Sequence, residues 1–274
     1  MNYAPYLEFV TDLAYRAGQI SLGFFRRGIS ADYKADDTPV TAADRAVEEF
    51  LRQEIERAYP GYAIIGEEYG ESQPQDGRPA WIVDPIDGTK SFMRGVPLYA
   101  VLIGLEIEGE VRVGAAYYPG TDEMLAAAEG MGAWWNGRRA HVSPLARLER
   151  ACVTYTSYKN FPKRSTWDRL SQAVYMLRGW SDAYGLLLTA TGRVEAHIEP
   201  VMAVWDCAPF PVIFKEAGGF FGDWDGTPGH RHGRALACNA ALLPRLIEIL
   251  KESEQHPQES ASGRNARSQA GGHP

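Results

Sequence analysis

Apolar residues Leu7, Val10, Leu13, Ala14, Ala17, Ile20 and Phe24 recur at helical spacing, which predicts one amphipathic helix over residues 5–25, followed by Gly28. A second helical stripe, Val47, Phe50, Leu51 and Ile55, opens behind Thr41, with Asp44 three residues on in a variant of the capping box. Tyr59-Pro60-Gly61-Tyr62 ends that helix, and Ala63-Ile64-Ile65 reads as a strand leading into Gly66-Glu67-Glu68. The polar stretch from Glu71 to Pro79 reads as a surface loop. Trp81 to Val83 is a short apolar run, predicting a strand buried on both faces and stopped by Pro85.

The period then changes to two. Residues 99–107, 111–118, 123–128 and 132–135 predict an antiparallel meander with turns at Glu108-Gly109, Pro119-Gly120, Gly130 and Asn136-Gly137. Beyond Pro144 strand-like and helix-like segments alternate: strand 151–155, helix 166–178, helix 182–191, strand 194–198, helix 205–217, strands 219–224 and 234–238, and helix 240–251. This order predicts two subdomains packed as layers, residues 1–145 (α+β with the antiparallel sheet) and 146–252 (α/β). Residues 253–274 are Ser, Gly, Gln, Glu and Arg without an apolar face, so a disordered tail is expected there.

Composition narrows the function more than the fold. A formal charge of −7 disfavours a nucleic-acid partner, though bound divalent cations would invert the local field around a phosphorylated small molecule. Cys152, Cys207 and Cys238 form no metal motif and fit free thiols in a reducing cytoplasm. No apolar run approaches the length of a membrane span, and Met1-Asn2-Tyr3-Ala4-Pro5 has no signal-peptide pattern.

The chemistry centres on Asp84-Pro85-Ile86-Asp87-Gly88-Thr89. Two carboxylates follow a buried strand, and Gly88 and Thr89 form a turn able to aim backbone N–H groups at an anion. Crowded carboxylates repel unless a cation lies among them, and hard oxygen donors select Mg²⁺, Mn²⁺ or Ca²⁺ over zinc. An ordinary acidic turn would show the same Asp-x-x-Asp, and Asp44 and Asp206 also fit helix capping. What moves the balance is the pair of further acidic sites, Gly66-Glu67-Glu68 and Trp205-Asp206. A cation-assisted phosphoryl-transfer site needs carboxylates from separate segments converging on one point. Glu67, Asp84, Asp87 and Asp206 stand at strand ends or a helix start, where they can do so. His230-Arg231-His232 has no acid nearby in sequence, so a zinc site there is not expected.

These three motifs, in this order and over roughly residues 5–250, resemble the inositol monophosphatase family. Lys90 to Tyr99 and Ser181-Asp182-Ala183-Tyr184-Gly185 are more similar to its histidinol-phosphatase branch. The resemblance implies a five-layered α-β-α-β-α sandwich of the inositol monophosphatase and fructose-1,6-bisphosphatase type. It implies Glu67, Asp84, the Ile86 carbonyl, Asp87 and Asp206 as ligands of two or three Mg²⁺ ions, with Mn²⁺ as a substitute. Asp44 and Thr89 match the pair that orients the attacking water, with Asp44 as proton acceptor and Glu67 in the same catalytic group. Gly88 and Thr89 match the phosphate-binding N–H groups.

Glu199, seven before Asp206, either matches an acid against the far end of the substrate, which Asp206 also borders, or is a surface acid ending a strand before Pro200. Asp182 fits either a second anion facing a cationic substrate or a helix cap. Arg94 and Lys90 either steer an anion or face solvent, and Glu68 either supports the site or faces solvent. The expectation is a cytoplasmic, homodimeric Mg²⁺-dependent phosphatase of L-histidinol phosphate, acting in histidine biosynthesis. Inositol monophosphate is the runner-up substrate and 3′-phosphoadenosine 5′-phosphate the third. A catalytically silent metal-binding relative would need a lost ligand, and Asp44, Glu67, Asp84, Asp87, Thr89 and Asp206 are all in place.

Overall fold

The computed structural model describes residues 1–25, 32–33, 39–72, 78–179 and 181–251; the expected disordered tail lies outside them, as do Gly28 and most of the expected loop before Pro79. The first stripe forms α1 (Ala4–Phe24), burying Val10, Leu13, Ala14 and Ala17. A short antiparallel pair, β1 (Asp32–Tyr33) and β2 (Pro39–Val40), leads into α2 (Ala42–Ala58). The capping box closes as expected: Thr41 Oγ1 accepts the Ala43 N–H at 3.1 Å, and Asp44 Oδ2 accepts the Thr41 N–H at 2.8 Å.

β3 (Ala63–Gly66) turns into β4 (Gly70–Glu71) and pairs in parallel with β5 (Ala80–Asp87). Pro85 does not stop this strand. β5 continues to Asp87 across a register shift against the antiparallel strand beyond it, with Asp84 opposite Leu102 and Asp87 opposite Ala100. The shift leaves Pro85 outside the ladder, where its missing N–H is not needed. After the short helix α3 (Thr89–Met93) the meander forms nearly as expected: β6 (Ala100–Ile107), β7 (Glu110–Tyr118), β8 (Glu123–Ala128) and β9 (Gly132–Trp135). With β10 (Arg138–Arg139) they complete an eight-stranded sheet of order β10-β9-β8-β7-β6-β5-β3-β4.

The rest of the chain gives β11 (Cys152–Thr154), α4 (Arg164–Ala173), β12 (Met176–Arg178), α5 (Ala183–Ala190) and β13 (Ala196–Glu199). It continues through α6 (Val204–Cys207), α7 (Phe210–Glu216), β14 (Gly219–Gly222), β15 (Ala235–Asn239) and α8 (Leu243–Lys251). The helix expected over 166–178 ends at Ala173, because residues 176–178 pair in parallel with β11 and the sheet edge takes their backbone groups. The helix expected over 205–217 is two helices parted at Ala208-Pro209, since proline lacks the N–H that a continuous helix would use. A five-stranded sheet results, of order β12-β11-β13-β15-β14.

The layers follow from which faces are apolar. α1 and α2 pack Leu13, Val47 and Leu51 onto Trp81, Ile103 and Leu105 of the larger sheet. The opposite face of that sheet, through Leu102 and Leu125, meets Leu186, Phe210 and Phe214 of the middle helices, which also cover Phe221 and Ala237 of the smaller sheet. On the far side, Leu170 of α4 and Leu246 and Leu250 of α8 cover Val153, Ile198 and Leu236. This is the α-β-α-β-α sandwich. Cys207 and Cys238 are buried free thiols, and Cys152 is half-buried. Among the described residues no helix is long and apolar enough to cross a membrane.

Phe214 lies fully buried in the shared middle layer and stacks on Phe221 with ring centroids 5.8 Å apart. Phe214→Ala should therefore destabilise the whole molecule by about 3–5 kcal/mol. Urea unfolding followed by far-ultraviolet circular dichroism and tryptophan fluorescence should show both signals shifting together.

Candidate active site

Asp84 and Asp87 flank the register shift of β5, and Asp206 stands in the first turn of α6; one carboxylate oxygen from each lies within 4.8 Å of the others. Each is anchored by a backbone N–H. Asp84 Oδ1 accepts from Ile86 at 2.9 Å, Asp87 Oδ2 from Ala183 at 2.7 Å, and Asp206 Oδ2 from Ala203 at 2.8 Å. Asp206 is thus a cap, as one reading of its position held, and a member of the cluster as well. Glu67 enters from the turn between β3 and β4, and its charge is the strongest repulsion acting on Asp84; it acts on Asp87 and Asp206 too.

Burial first, then repulsion from these neighbours, pushes Asp84 and Asp87 well above the usual carboxylate range. Burial, opposed by the Ala203 N–H and reinforced by Glu67, pushes Asp206 up to about 6. Buried like charges of this kind are unfavourable without a compensating cation. The donors are all hard oxygens from three separate elements, which fits Mg²⁺ or Mn²⁺ and does not fit a soft ion.

Asp44 serves two neighbours. Its Oδ2 caps α2, and its Oδ1 accepts a long hydrogen bond, 3.4 Å, from the Thr89 hydroxyl, which lies 3.1 Å from the Ile86 carbonyl oxygen. Capping and chemistry are therefore compatible readings of this one side chain. Burial raises the Asp44 carboxyl pKa against the Thr41 bonds, and the charge of Glu68 adds to the rise. Gly88 has φ of 85°, and a Cβ there would stand 3.0 Å from the Leu98 carbonyl oxygen and 3.2 Å from Asp182 Oδ2. Directly behind it, α3 begins at Thr89; the Ser91 and Phe92 N–H groups donate to the Gly88 carbonyl at 2.8 and 3.0 Å, while those of Thr89 and Lys90 have no acceptor within the helix.

Glu48 was not singled out from the sequence. It lies one turn beyond Asp44 on the same face of α2 and is fully buried. Its Oε2 accepts the Glu68 N–H at 2.7 Å; its Oε1 accepts the Tyr69 N–H at 3.2 Å and pairs with Arg52 Nε at 2.8 Å. These bonds build the turn that carries Glu67. A Cβ on Gly66 would come within 2.1 Å of Glu48 Oε1, which is the physical reason for glycine there. The available signal was an acid four residues after Asp44, next to Val47 in the apolar stripe.

Glu199 ends β13, buried, and accepts the Thr156 N–H at 3.1 Å. Burial pushes its carboxyl up to about 7, with repulsion from Asp182 and Asp206 contributing. Asp182 occupies the N-cap position of α5, yet its side chain makes no capping bond; it accepts the Ser91 hydroxyl at 3.1 Å. Asp182 is also the strongest like charge acting on Asp87. Of the two cations expected near the phosphate turn, Lys90 acts on Asp182, whereas Arg94 is exposed with its guanidinium 3.5 Å from the Lys90 carbonyl oxygen. His230 does have an acid beside it: Glu106, remote in sequence, lies 2.7 Å from His230 Nε2 and also pairs with Arg231 at 2.8 Å. That cluster is an ion-pair tie between the larger sheet and the loop before β15. The aspartate group is the metal-competent set found among the described residues.

Comparison with known proteins bears on the family and the fold. Residues 2–255 match the model of the inositol monophosphatase family. The histidinol-phosphatase of Chlorobaculum parvum is 39% identical over 256 residues, covering 92% of this chain and 98% of that protein. The histidinol-phosphatase of Mycobacterium tuberculosis is 39% identical over 247 residues, covering 87% and 95%. Among solved structures, the inositol monophosphatase of Anabaena superposes with a TM-score of 0.81 at 30% identity, covering 92% of this chain and 97% of that one.

Two outcomes are expected. Glu48→Ala removes a buried acid that holds Arg52 and two backbone N–H groups, so it should cost about 3 kcal/mol by chemical denaturation and lower turnover by displacing Glu67. Carboxyls whose pKa is higher in the folded state bind more protons folded than unfolded, so stability falls as pH rises through the interval between the two values. With Asp206 up to about 6 and Glu199 up to about 7, chelator-treated protein should lose melting temperature from about pH 4 to pH 7. Calorimetry across that range measures the slope.

Proposed function

The chain belongs to the inositol monophosphatase family, and we propose that within this family of phosphoric monoester hydrolases it converts L-histidinol phosphate to L-histidinol in a Mg²⁺-dependent reaction. The observation that carries the substrate assignment is the pair of acids beyond the metal-competent cluster. Asp182, half-buried, and Glu199, buried, would place two carboxyl groups against the alcohol part of a bound ester, and an ammonium group there would pair with them and favour their charged forms. The two histidinol-phosphatases at 39% identity support the same reading.

Glu67, Asp84, Asp87, Asp206 and the Ile86 carbonyl are the groups that would hold two or three Mg²⁺ ions, with Mn²⁺ as a substitute. Bound there, the metal supplies neutralising charge for the phosphoryl oxygens and lowers the pKa of water. The protein's own part is positioning. Thr89 Oγ1, placed between Asp44 Oδ1 and the Ile86 carbonyl, orients the attacking water, and Asp44 takes its proton. Burial that raises the Asp44 pKa makes it a stronger base for that purpose. The N–H groups of Gly88 and Thr89 hold the phosphate. Water oxygen bonds to phosphorus, the ester P–O bond breaks, and the alcohol oxygen takes a proton from solvent while Asp44 returns its proton to solvent, giving histidinol and inorganic phosphate. No covalent phosphoenzyme is involved.

Inositol monophosphate is the second reading, because Glu199 can accept hydrogen bonds from hydroxyls as well as from an ammonium group. The same family reading carries a cytoplasmic homodimer, which sedimentation at micromolar concentration would check.

Phosphate release should depend on Mg²⁺, and chelation should abolish it. Asp84→Asn should reduce kcat by about 10³-fold or more, as expected when an acid that anchors the metal is lost. Histidinol phosphate should be turned over with a higher kcat/KM than inositol 1-phosphate, and Glu199→Gln should weaken the cationic substrate by about 1–3 kcal/mol. Equal turnover of the two esters would remove the substrate assignment while leaving the phosphatase reading intact.

A further inference from the structure

Thr156 has no place in the sequence motifs, yet it touches both acids assigned to the alcohol end of the substrate. It follows β11, and its N–H donates to Glu199 Oε2 at 3.1 Å. Its Oγ1 accepts the N–H of Asp182 at 3.1 Å. The backbone N–H of this one residue thus serves one acid and its side chain the other.

The backbone at Asp182 explains why such a holder is needed. Its φ is 43° and ψ is −146°, a conformation that residues with a Cβ enter only when their surroundings impose it. The constraints are visible on every side. The Asp182 N–H is bound to Thr156, and the following N–H, of Ala183, to Asp87 at 2.7 Å. The Ala183 carbonyl accepts the Tyr118 hydroxyl at 2.8 Å, and the Asp182 carboxylate accepts Ser91 at 3.1 Å. Glycine would relax this site. The chain instead keeps an acid there, aimed beside Gly88 and the phosphate turn.

We propose that Thr156 is a positioning residue that fixes Asp182 and Glu199 as a two-carboxylate jaw for the ammonium end of the substrate. The inference rests on the cationic-alcohol reading given above. Loss of the hydroxyl leaves the Asp182 N–H without its acceptor, while the Thr156 N–H to Glu199 and the bonds at Ala183 and Ser91 remain.

The test compares Thr156→Val with Thr156→Ser in the full-length Mg²⁺-supplemented enzyme, on histidinol phosphate and inositol 1-phosphate. Thr156→Val should raise KM for histidinol phosphate about tenfold, the effect of weakening one charge-assisted contact to the ammonium as Asp182 shifts, with kcat within about twofold. Thr156→Ser should restore the wild-type KM. A second pair isolates the strain: Asp182→Gly should melt about 2–4 °C above Asp182→Ala, because both lack the carboxylate and only alanine keeps the unfavourable φ. An unchanged KM in Thr156→Val overturns the proposal. So does a fall in kcat and melting temperature that Thr156→Ser fails to rescue, or equal melting of the two Asp182 variants. If the wild-type enzyme prefers inositol 1-phosphate, the substrate reading falls by itself. The positioning role is then decided on that ester, upheld by a tenfold rise in its KM and overturned by none.

Discussion

Packing like charges together is the constraint around which this molecule is built. Asp84, Asp87 and Asp206 share a space less than 5 Å across, with Glu67 close enough to raise the pKa of each. A set like that opposes folding unless its members are individually fixed and a cation offsets their charge. The fixing is done by main-chain N–H groups of Ile86, Ala183 and Ala203, which come from a strand irregularity and from the first turns of two helices. Such donors are already in place when the fold forms, and they leave the side chains no freedom to swing apart.

The apolar layers supply the stability that tolerates this arrangement. Among the described residues, the three larger of four buried clusters, one on each outer side and one in the middle, lock the two sheets against their helices. The middle cluster matters most for the site, because it joins β6 and β8 to α5, α7 and the smaller sheet. Asp206 and Asp182 begin or precede helices that this layer holds, while Asp84 and Asp87 ride on the strand next to β6. Apolar packing between the halves thus sets the distance between their carboxylates.

A shell of polar residues then refines the geometry. Glu48 shapes the Glu67 turn from the same helix face that presents Asp44, so one helix sets two parts of the site. Thr156, Ser91 and Tyr118 hold the strained Asp182 peptide from three directions. Thr156, Ser91 and Tyr118 are neutral groups bonded to backbone or to a carboxylate, and Glu48 carries Arg52 on its far oxygen. The repulsion among Glu67, Asp84, Asp87 and Asp206 is therefore left for a divalent cation to offset.

Much of this was legible in the chain. The stripe from Leu7 to Phe24, the capping box at Thr41 and Asp44, and the meander turns are local patterns, and local backbone preference decides them. The acids Glu67, Asp84, Asp87 and Asp206 could be chosen because strand ends and helix starts are where functional carboxylates can converge. The sequence could not show that β5 runs on through Pro85, that residues 176–178 leave their helix for a sheet edge, or that Glu106 meets His230. Nor could it show the part played by Glu48 and Thr156. Those outcomes depend on partners far away in the chain, and a hydrogen bond between remote residues leaves no period or spacing in either segment. Local patterning determined the elements and the choice of acids; tertiary packing alone decided which of them meet, and at what distance.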